Sequence, residues 1–185
     1  MSQGNSEILV IYESPNKYKL FKSLFNEVGL ECKFAYTQGK IFDLPKDSLG
    51  ISENGGVTLE PVNEKRLSYL KSAIESSDRV LCLTDMDDEG ELIAKSIKDL
   101  CNDSPSTKFL RLKLNEYTPN SLVSALKNGT ETLDSEAVNK AYSRRYIDRF
   151  IGFADNEDKM YQRGRVLTPF VQNIYEEPIQ LKKKV

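Results

Sequence analysis

Short apolar runs alternate with segments of helical periodicity along the first 130 residues of the chain. Residues 8–12 are wholly apolar and rich in β-branched side chains, and residues 79–84 are mostly apolar, which is typical of strands buried in a parallel sheet. We predict strands over residues 8–12, 32–37, 57–62, 79–84 and 108–114. We predict helices over residues 18–28, 64–76, 91–100 and 118–126. Strands that alternate with helices indicate an α/β fold, with a mainly parallel sheet flanked by helices.

The pattern changes after residue 133. Ser135–Phe153 is predicted to be one long amphipathic helix, and a second helix is predicted over residues 165–175. The apolar side of the long helix is formed by Val138, Ala141, Tyr142, Tyr146, Phe150 and Phe153. We therefore expect an α/β domain over residues 1–133 and a helical extension over residues 134–185.

Composition excludes several classes of chemistry. The 185 residues include no histidine, so the chain itself has neither a Ser-His-Asp triad nor a His-ligated zinc. Cys32, Cys82 and Cys101 are widely spaced and form no Cys-x-x-Cys pair, which is typical of reduced thiols in a cytosolic protein. No apolar run approaches the roughly 20 residues that a membrane-spanning helix requires. The formal net charge of −2 favours no class of partner by itself.

Carboxylates follow two of the predicted strands. Glu13 comes directly after the first strand, and Asp85, Asp87 and Glu89 follow the strand over residues 79–84. If these strands are neighbours in a parallel sheet, all four side chains face the crevice beyond the carboxyl ends of the strands. Crowded carboxylates repel one another unless a cation neutralises them. Oxygen ligands without histidine or cysteine favour Mg²⁺ or Mn²⁺ over zinc.

The segment Asp-x-Asp-x-Glu-Gly at residues 85–90 has three alternative interpretations. An EF-hand loop begins in the same way, but its twelfth position requires a bidentate glutamate and is Ser96 here. A haloacid-dehalogenase-like phosphatase also begins with Asp-x-Asp, but after its first strand and usually with Thr or Val where Glu89 stands here. The third interpretation is an acidic turn that caps the following helix, since the helix dipole favours negative charge there.

These motifs resemble those of Toprim domains, which occur in topoisomerases, bacterial-type primases and some nucleases. The signature is Glu13 after a first strand and Asp85-x-Asp87-x-Glu89-Gly90 after a later one. Six stretches resemble type IA DNA topoisomerases in particular, and they occur in the order of that family. The stretches are residues 10–17, 39–45, 84–91, 114–118, 143–152 and 164–169. The resemblance implies the Rossmann-like Toprim fold, followed by the start of the family's DNA-groove domain.

The resemblance implies roles for the acidic residues and for one lysine. Asp85, Asp87 and Glu89 would bind Mg²⁺. Glu13 would be a further metal ligand, or would exchange a proton with the leaving 3′ oxygen of the DNA. Lys17 would stabilise negative charge at the scissile phosphate, as expected for phosphoryl transfer.

The resemblance also implies a surface for single-stranded DNA. The implied DNA-binding residues are Arg144, Arg145, Asp148, Arg149, Arg165 and Thr168. Paired guanidinium groups on one helix suit phosphate contacts. The neighbouring Tyr142 and Tyr146 would either stack on bases or pack in the core.

The sequence departs from the family pattern in three respects. Type IA enzymes cleave DNA with a tyrosine that lies in a separate domain, in a Tyr-x-Arg-(Thr or Ser) motif well downstream of the Toprim region. Tyr161 begins a similar triplet, but Gly164 follows it and the stretch matches a different family segment. Lys40 stands where the family usually has histidine, and Asp88 where it usually has arginine. Asp88 adds a carboxylate to the crowded loop, which favours metal binding over attraction for DNA.

Three functions follow from these observations. The first is the Mg²⁺-dependent, single-stranded-DNA-binding Toprim part of a type IA topoisomerase, in which a missing domain or a second chain supplies the tyrosine. The second is a stand-alone Toprim nuclease, and the third is a non-catalytic nucleic-acid-binding module. For the first function we expect a cytoplasmic, nucleoid-associated protein with no membrane partner.

Overall fold

The computed structural model describes residues 7–153 except 53, 55 and 105. The strands are β1 (Ile8–Tyr12), β2 (Lys33–Tyr36), β3 (Phe42–Asp43), β4 (Glu60–Pro61), β5 (Arg79–Cys82) and β6 (Lys108–Arg111). The helices are α1 (Tyr18–Glu27), α2 (Glu64–Glu75), α3 (Asp88–Asn102), α4 (Pro119–Asn128) and α5 (Ser135–Phe153), and a 3₁₀ turn at Pro15–Lys17 precedes α1. Arg165, Thr168 and the predicted helix over residues 165–175 lie outside the described residues.

Four parallel strands form the main sheet, in the order β2-β1-β5-β6. Strand β1 pairs with β5 in a register that places Val10 opposite Leu81, so the two strands end at the same edge. The prediction of a mainly parallel α/β sheet is therefore confirmed. The predicted strand over residues 57–62 is shorter in the structure, where only Glu60–Pro61 is a strand and pairs antiparallel with β3.

Helices cover both faces of the sheet, which explains why β1 and β5 are apolar at consecutive positions. On one face, Leu9 and Val80 belong to a core that also includes side chains of α2 and α3. On the other face, Val10 and Leu81 pack with side chains of α1 and α4. Because successive strand residues point to opposite faces, each of these strands contributes to both cores.

Helix α3 begins three residues earlier than predicted, at Asp88. Its N-cap is Asp87, whose carboxylate accepts a hydrogen bond of 2.7 Å from the backbone N–H of Gly90. Glu89 therefore lies in the first helical turn rather than in a loop. The acidic first turn also complements the positive end of the helix dipole.

Helix α5 has the predicted bounds and packs against α3. Val138 and Ala141 are buried against Leu92. The predicted apolar side does not hold along the whole helix, because Phe150 is 49% exposed. None of the helices in the described part of the chain is long and apolar enough to cross a membrane.

Candidate metal and nucleic-acid site

The pairing of β1 with β5 brings the predicted acidic residues to one edge of the sheet. Glu13 follows β1, and Asp85 and Asp87 follow β5. Burial raises the pKa of the Glu13 carboxyl, and the negative charges of Asp85 and Asp87 raise it further. Glu13 therefore lies within the electrostatic field of the residues after β5, as the sequence predicts.

Lys17 enters the same edge from the 3₁₀ turn after β1. Its ammonium group donates a hydrogen bond to Oδ1 of Asp85 and lies 5.7 Å from the centre of the Tyr117 ring. Burial opposes the charged form of Lys17, but the interactions with Asp85 and Tyr117 outweigh it and raise the pKa of the ammonium group. Lys17 is thus held in its cationic form beside the carboxylates.

Two acidic residues in the first turn of α3 form ion pairs with α5. Glu89 pairs with Arg145, which is only 8% exposed. Asp88 pairs with Arg144 at 2.9 Å. Asp88 is the position at which the type IA pattern usually has arginine, so in this chain Asp88 meets a basic side chain rather than repelling it.

Arg145 and Arg149 also bind backbone oxygens of the segment after β2. Arg145 donates to the carbonyl of Phe42 at 3.1 Å, and Arg149 donates to the carbonyls of Leu44 and Ser48, both at 3.2 Å. These contacts fasten α5 to residues 42–48. Within the described residues, the two arginines therefore have intramolecular partners, and their contact with DNA stays a prediction.

The remaining predicted side chains of α5 divide between packing and surface. Arg144 is 55% exposed, whereas Asp148 is half-buried. Tyr142 and Tyr146 stack on each other with ring centres 5.8 Å apart, and Tyr142 also packs against the cluster around Leu92. Tyr142 is thus partly packed in the core, and base stacking by either tyrosine stays a prediction.

The donor set at this edge suits Mg²⁺, but the side chains are engaged elsewhere. All four predicted ligands are carboxylates, which are the ligands that hard divalent cations prefer. Among the described residues, however, no three acidic side chains are arranged as a metal-binding group. The reason is visible in their partners: Asp85 binds Lys17, Asp87 caps α3 and Glu89 binds Arg145. The residues thus fit a divalent cation in chemistry, and a bound cation would compete with these partners for the carboxylate oxygens.

Sequence reasoning missed a second pair of residues beneath the carboxylates. Arg111 in β6 is buried and forms an ion pair of 3.0 Å with Glu91, which is also buried. The same guanidinium group donates to the backbone carbonyls of Thr84 and Asp85, at 2.9 Å each. The signal that was available is an arginine on the same face of the strand as the buried Phe109, since a charge at an inward position requires a partner.

A protein-family model described as "Toprim domain" matches residues 8–117. Among curated proteins, the chain is 33% identical over 153 residues to DNA topoisomerase 1 of Campylobacter jejuni, a match that covers 78% of this chain and 21% of that protein. It is 32% identical over 149 residues to DNA topoisomerase 1 of Thermotoga maritima, covering 78% of this chain and 22% of the relative.

A solved structure is also similar. Full-length topoisomerase I from Thermotoga maritima matches with a TM-score of 0.66 and 30% sequence identity, over 78% of this chain and 24% of that chain. The chain thus spans about a fifth of the length of the curated relatives named above. These matches confirm the resemblance on which the sequence interpretation depends.

Proposed function

The chain belongs to the Toprim domain family, and from this premise we propose that it is the Mg²⁺-dependent, single-stranded-DNA-binding Toprim part of a type IA DNA topoisomerase. The observation that carries the proposal is the position of Glu13 beside Asp85 and Asp87, at one edge of a parallel sheet. Ligands of α/β proteins bind at this kind of edge.

In the proposed site, Asp85, Asp87 and Glu89 hold Mg²⁺ or Mn²⁺, with Glu13 as a further ligand or as a proton-transfer group. The cation supplies charge stabilisation for a phosphate of the DNA. Burial is the largest cause of the raised pKa of the Glu13 carboxyl, and a raised pKa favours a carboxyl group that exchanges a proton. The proton moves between this carboxyl group and the 3′ oxygen that leaves on strand cleavage.

Lys17 contacts the phosphate in the proposed complex. It is kept cationic beside Asp85, and an ammonium group stabilises the negative charge that develops during phosphoryl transfer. A cation at Asp85 would compete with Lys17 for this carboxylate and would leave the ammonium group available to the phosphate. Cation and DNA are thus expected to bind in a coupled manner.

The DNA strand is proposed to run along α5. Arg144 is the most accessible of the predicted contacts in the described region, and Lys140 lies one turn before it on the same exposed face. Arg145, Asp148, Arg149, Arg165 and Thr168 are retained as proposed DNA contacts by resemblance. The strand is cleaved through a 5′-phosphotyrosyl link, and the tyrosine comes from another domain or from a second chain. Because DNA is the proposed partner, we expect a cytoplasmic protein at the nucleoid.

A plasmid assay tests this function directly. The purified 185-residue chain is added with Mg²⁺ to negatively supercoiled plasmid, and single-stranded oligonucleotide binding is measured in parallel. We expect salt-sensitive binding to the oligonucleotide and no change in plasmid topology. Relaxation by the pure chain contradicts the proposed origin of the nucleophile. Cleavage of labelled single-stranded DNA with Mn²⁺ that disappears in Asp85→Ala indicates a Toprim nuclease instead.

A non-catalytic nucleic-acid-binding module is the second candidate. It is favoured by the ion pairs of Asp85 and Glu89 with Lys17 and Arg145, which offset part of the negative charge of the edge without a cation. In that case oligonucleotide affinity is unaffected by Mg²⁺ and by Asp87→Asn. The Toprim proposal instead predicts a response to both.

A further inference from the structure

Arg111 is completely buried, and its two shortest guanidinium hydrogen bonds go to the loop after β5. Its side chain has 0% exposure. Nη1 donates to the carbonyl of Thr84 at 2.9 Å, and Nη2 donates to the carbonyl of Asp85 at 2.9 Å. Nη1 also approaches the carbonyls of Leu112 at 3.1 Å and Cys82 at 3.4 Å. Arg111 therefore fixes the backbone of the residue that carries the first predicted metal ligand.

Glu91 connects this arginine to the beginning of α5. Its Oε2 accepts from Nε of Arg111 at 3.0 Å, and its Oε1 accepts from the backbone N–H of Asp134 at 2.9 Å. The backbone of Arg111 also pairs with Thr130, with hydrogen bonds of 2.8 and 3.2 Å. The chain that leads into α5 is thus held by the same two residues that hold the loop after β5.

We propose that the buried Arg111–Glu91 pair positions the loop over residues 84–90 for cation binding and fixes α5 relative to it. This inference rests on one part of the proposed function, namely that the loop over residues 84–90 binds a divalent cation. Arg111 and Glu91 are positioning residues, because they touch neither a cation nor DNA in this assignment.

Energetics support a positioning role over a stabilising one. A buried ion pair gains little net stability, because desolvation of the two charges offsets their attraction. Here the planar guanidinium group of Arg111 donates to several backbone carbonyls at the same time, in a fixed fork of N–H groups. Loss of this guanidinium fork releases the carbonyl of Asp85, whose side chain binds Lys17. Partners behind metal ligands commonly change metal affinity by about 10- to 100-fold when they are removed.

The same pair also aligns the basic side chains with the acidic ones. Glu89 in α3 meets Arg145 in α5, and Asp134, whose N–H binds Glu91, directly precedes α5. A shift at Asp134 moves Arg145 relative to Glu89 through the rigid helix. We therefore expect one substitution in the pair to disturb both the carboxylate loop and the beginning of α5.

The test compares three variants of the full chain. Arg111→Lys keeps the charge but loses the fork, and the double variant Arg111→Met/Glu91→Gln removes the buried charge pair while the glutamine still accepts from Asp134. Lys108→Met, at the exposed start of the same strand, is the matched control. Circular dichroism and thermal melting establish that each variant is folded at the temperature used.

Mn²⁺ binding is then measured by electron paramagnetic resonance, and amide hydrogen exchange is measured over residues 84–90 and 134–138. We expect Mn²⁺ affinity to fall about tenfold or more in both pair variants, since the ligand-bearing loop is released. Exchange should accelerate in both segments together. Lys108→Met should match the wild type within twofold. A folded pair variant with wild-type Mn²⁺ affinity and wild-type exchange overturns the inference.

The two proposals fail in different ways. If the wild-type chain binds no Mn²⁺, the proposed function fails, and the exchange measurement still decides the positioning role. If Arg111→Lys does not fold, the double variant carries the test, because it leaves no unpaired buried charge. Unchanged exchange in that double variant contradicts the positioning role whatever the metal result.

Discussion

Replacing Gly90 with alanine tests why the acidic motif ends in glycine. Gly90 lies in the first turn of α3, where alanine normally stabilises a helix by about 1 kcal/mol relative to glycine. In this structure, however, a Cβ at position 90 would lie 2.1 Å from the carbonyl oxygen of Asp85 and 2.8 Å from its carbonyl carbon. Real Cβ atoms essentially never come closer than 3.0 Å. The close contact thus predicts that Gly90→Ala lowers the free energy of unfolding, whereas helix propensity predicts that it raises it.

The size of the stability change depends on how far the backbone at position 90 must move away from Asp85. The backbone has to separate by about 0.9 Å, which is the difference between 3.0 and 2.1 Å. Strain of this kind costs about 2 kcal/mol, and displacement of the Asp87 cap costs about 1 kcal/mol more. After the propensity gain of about 1 kcal/mol, the free energy of unfolding should fall by about 2 kcal/mol. For a chain of this size that lowers the melting temperature by roughly 4–8 °C.

Thermal and urea denaturation measure this loss. Gly29→Ala is the matched control, because a Cβ there meets nothing within 4 Å and only the positive φ of 74° opposes it. That strain costs about 1 kcal/mol, so Gly29→Ala should be less destabilising than Gly90→Ala. A Gly90→Ala protein at least as stable as the wild type would refute the close packing of α3 on the Asp85 carbonyl.

The other predictions concern α5 and one thiol. Arg145→Ala removes a nearly buried side chain from Glu89 and from a backbone carbonyl, so unfolding free energy should fall by about 2 kcal/mol in urea denaturation. Arg144→Ala breaks an exposed ion pair, so it should lower the free energy of unfolding by less than about 1 kcal/mol. It should also reduce the slope of log affinity for the oligonucleotide against log salt concentration by about 0.7. Equal losses of stability in Arg145→Ala and Arg144→Ala contradict the assignment of one buried and one exposed arginine. Burial raises the pKa of the Cys32 thiol to about 11. Because only the thiolate reacts, alkylation at pH 8 should be slow and should rise about tenfold per pH unit up to about pH 11. A rate that levels off near pH 9 contradicts this.

The sheet was predictable because its strands are buried on both faces. Val10 and Leu81 point to one face while Leu9 and Val80 point to the other, and this arrangement requires consecutive apolar residues. The parallel order then places Glu13 at the same edge as the residues after β5. The first inference uses only residue type and position, whereas the second also required that β1 and β5 be neighbours, which the structure shows.

The start of α3 and the β3–β4 pair were not predictable in the same way. Asp87 has the residue type of an N-cap, but three further acidic residues follow it and obscure where the helix begins. Strands β3 and β4 have two residues each, which is too short for a periodic pattern. Arg145 also donates a hydrogen bond to the carbonyl of Phe42 in β3. Because these residues are about a hundred positions apart, no local sequence pattern indicates the contact.

The partners of the basic residues were the least predictable part of the site. Arg144 and Arg145 are adjacent in sequence, yet one is exposed and the other is nearly buried. Their difference comes from the way α5 packs against α3, where Val138 and Ala141 are buried against Leu92. Apolar periodicity predicted the helix and the family resemblance implied its DNA contacts, while its packing decides which arginines are accessible.

Mn²⁺ titration of the wild-type chain and of Asp87→Asn tests the proposed cation site most directly. Asparagine caps a helix about as well as aspartate, so the variant should keep the hydrogen bond to Gly90 and lose only the charge. Asp99→Asn removes an exposed carboxylate near the other end of the same helix and serves as the control. The proposed site predicts saturable binding that Mg²⁺ displaces, about tenfold weaker in Asp87→Asn and unchanged in Asp99→Asn. Absence of binding in the wild type, or equal affinity in Asp87→Asn, contradicts a cation site at this edge of the sheet.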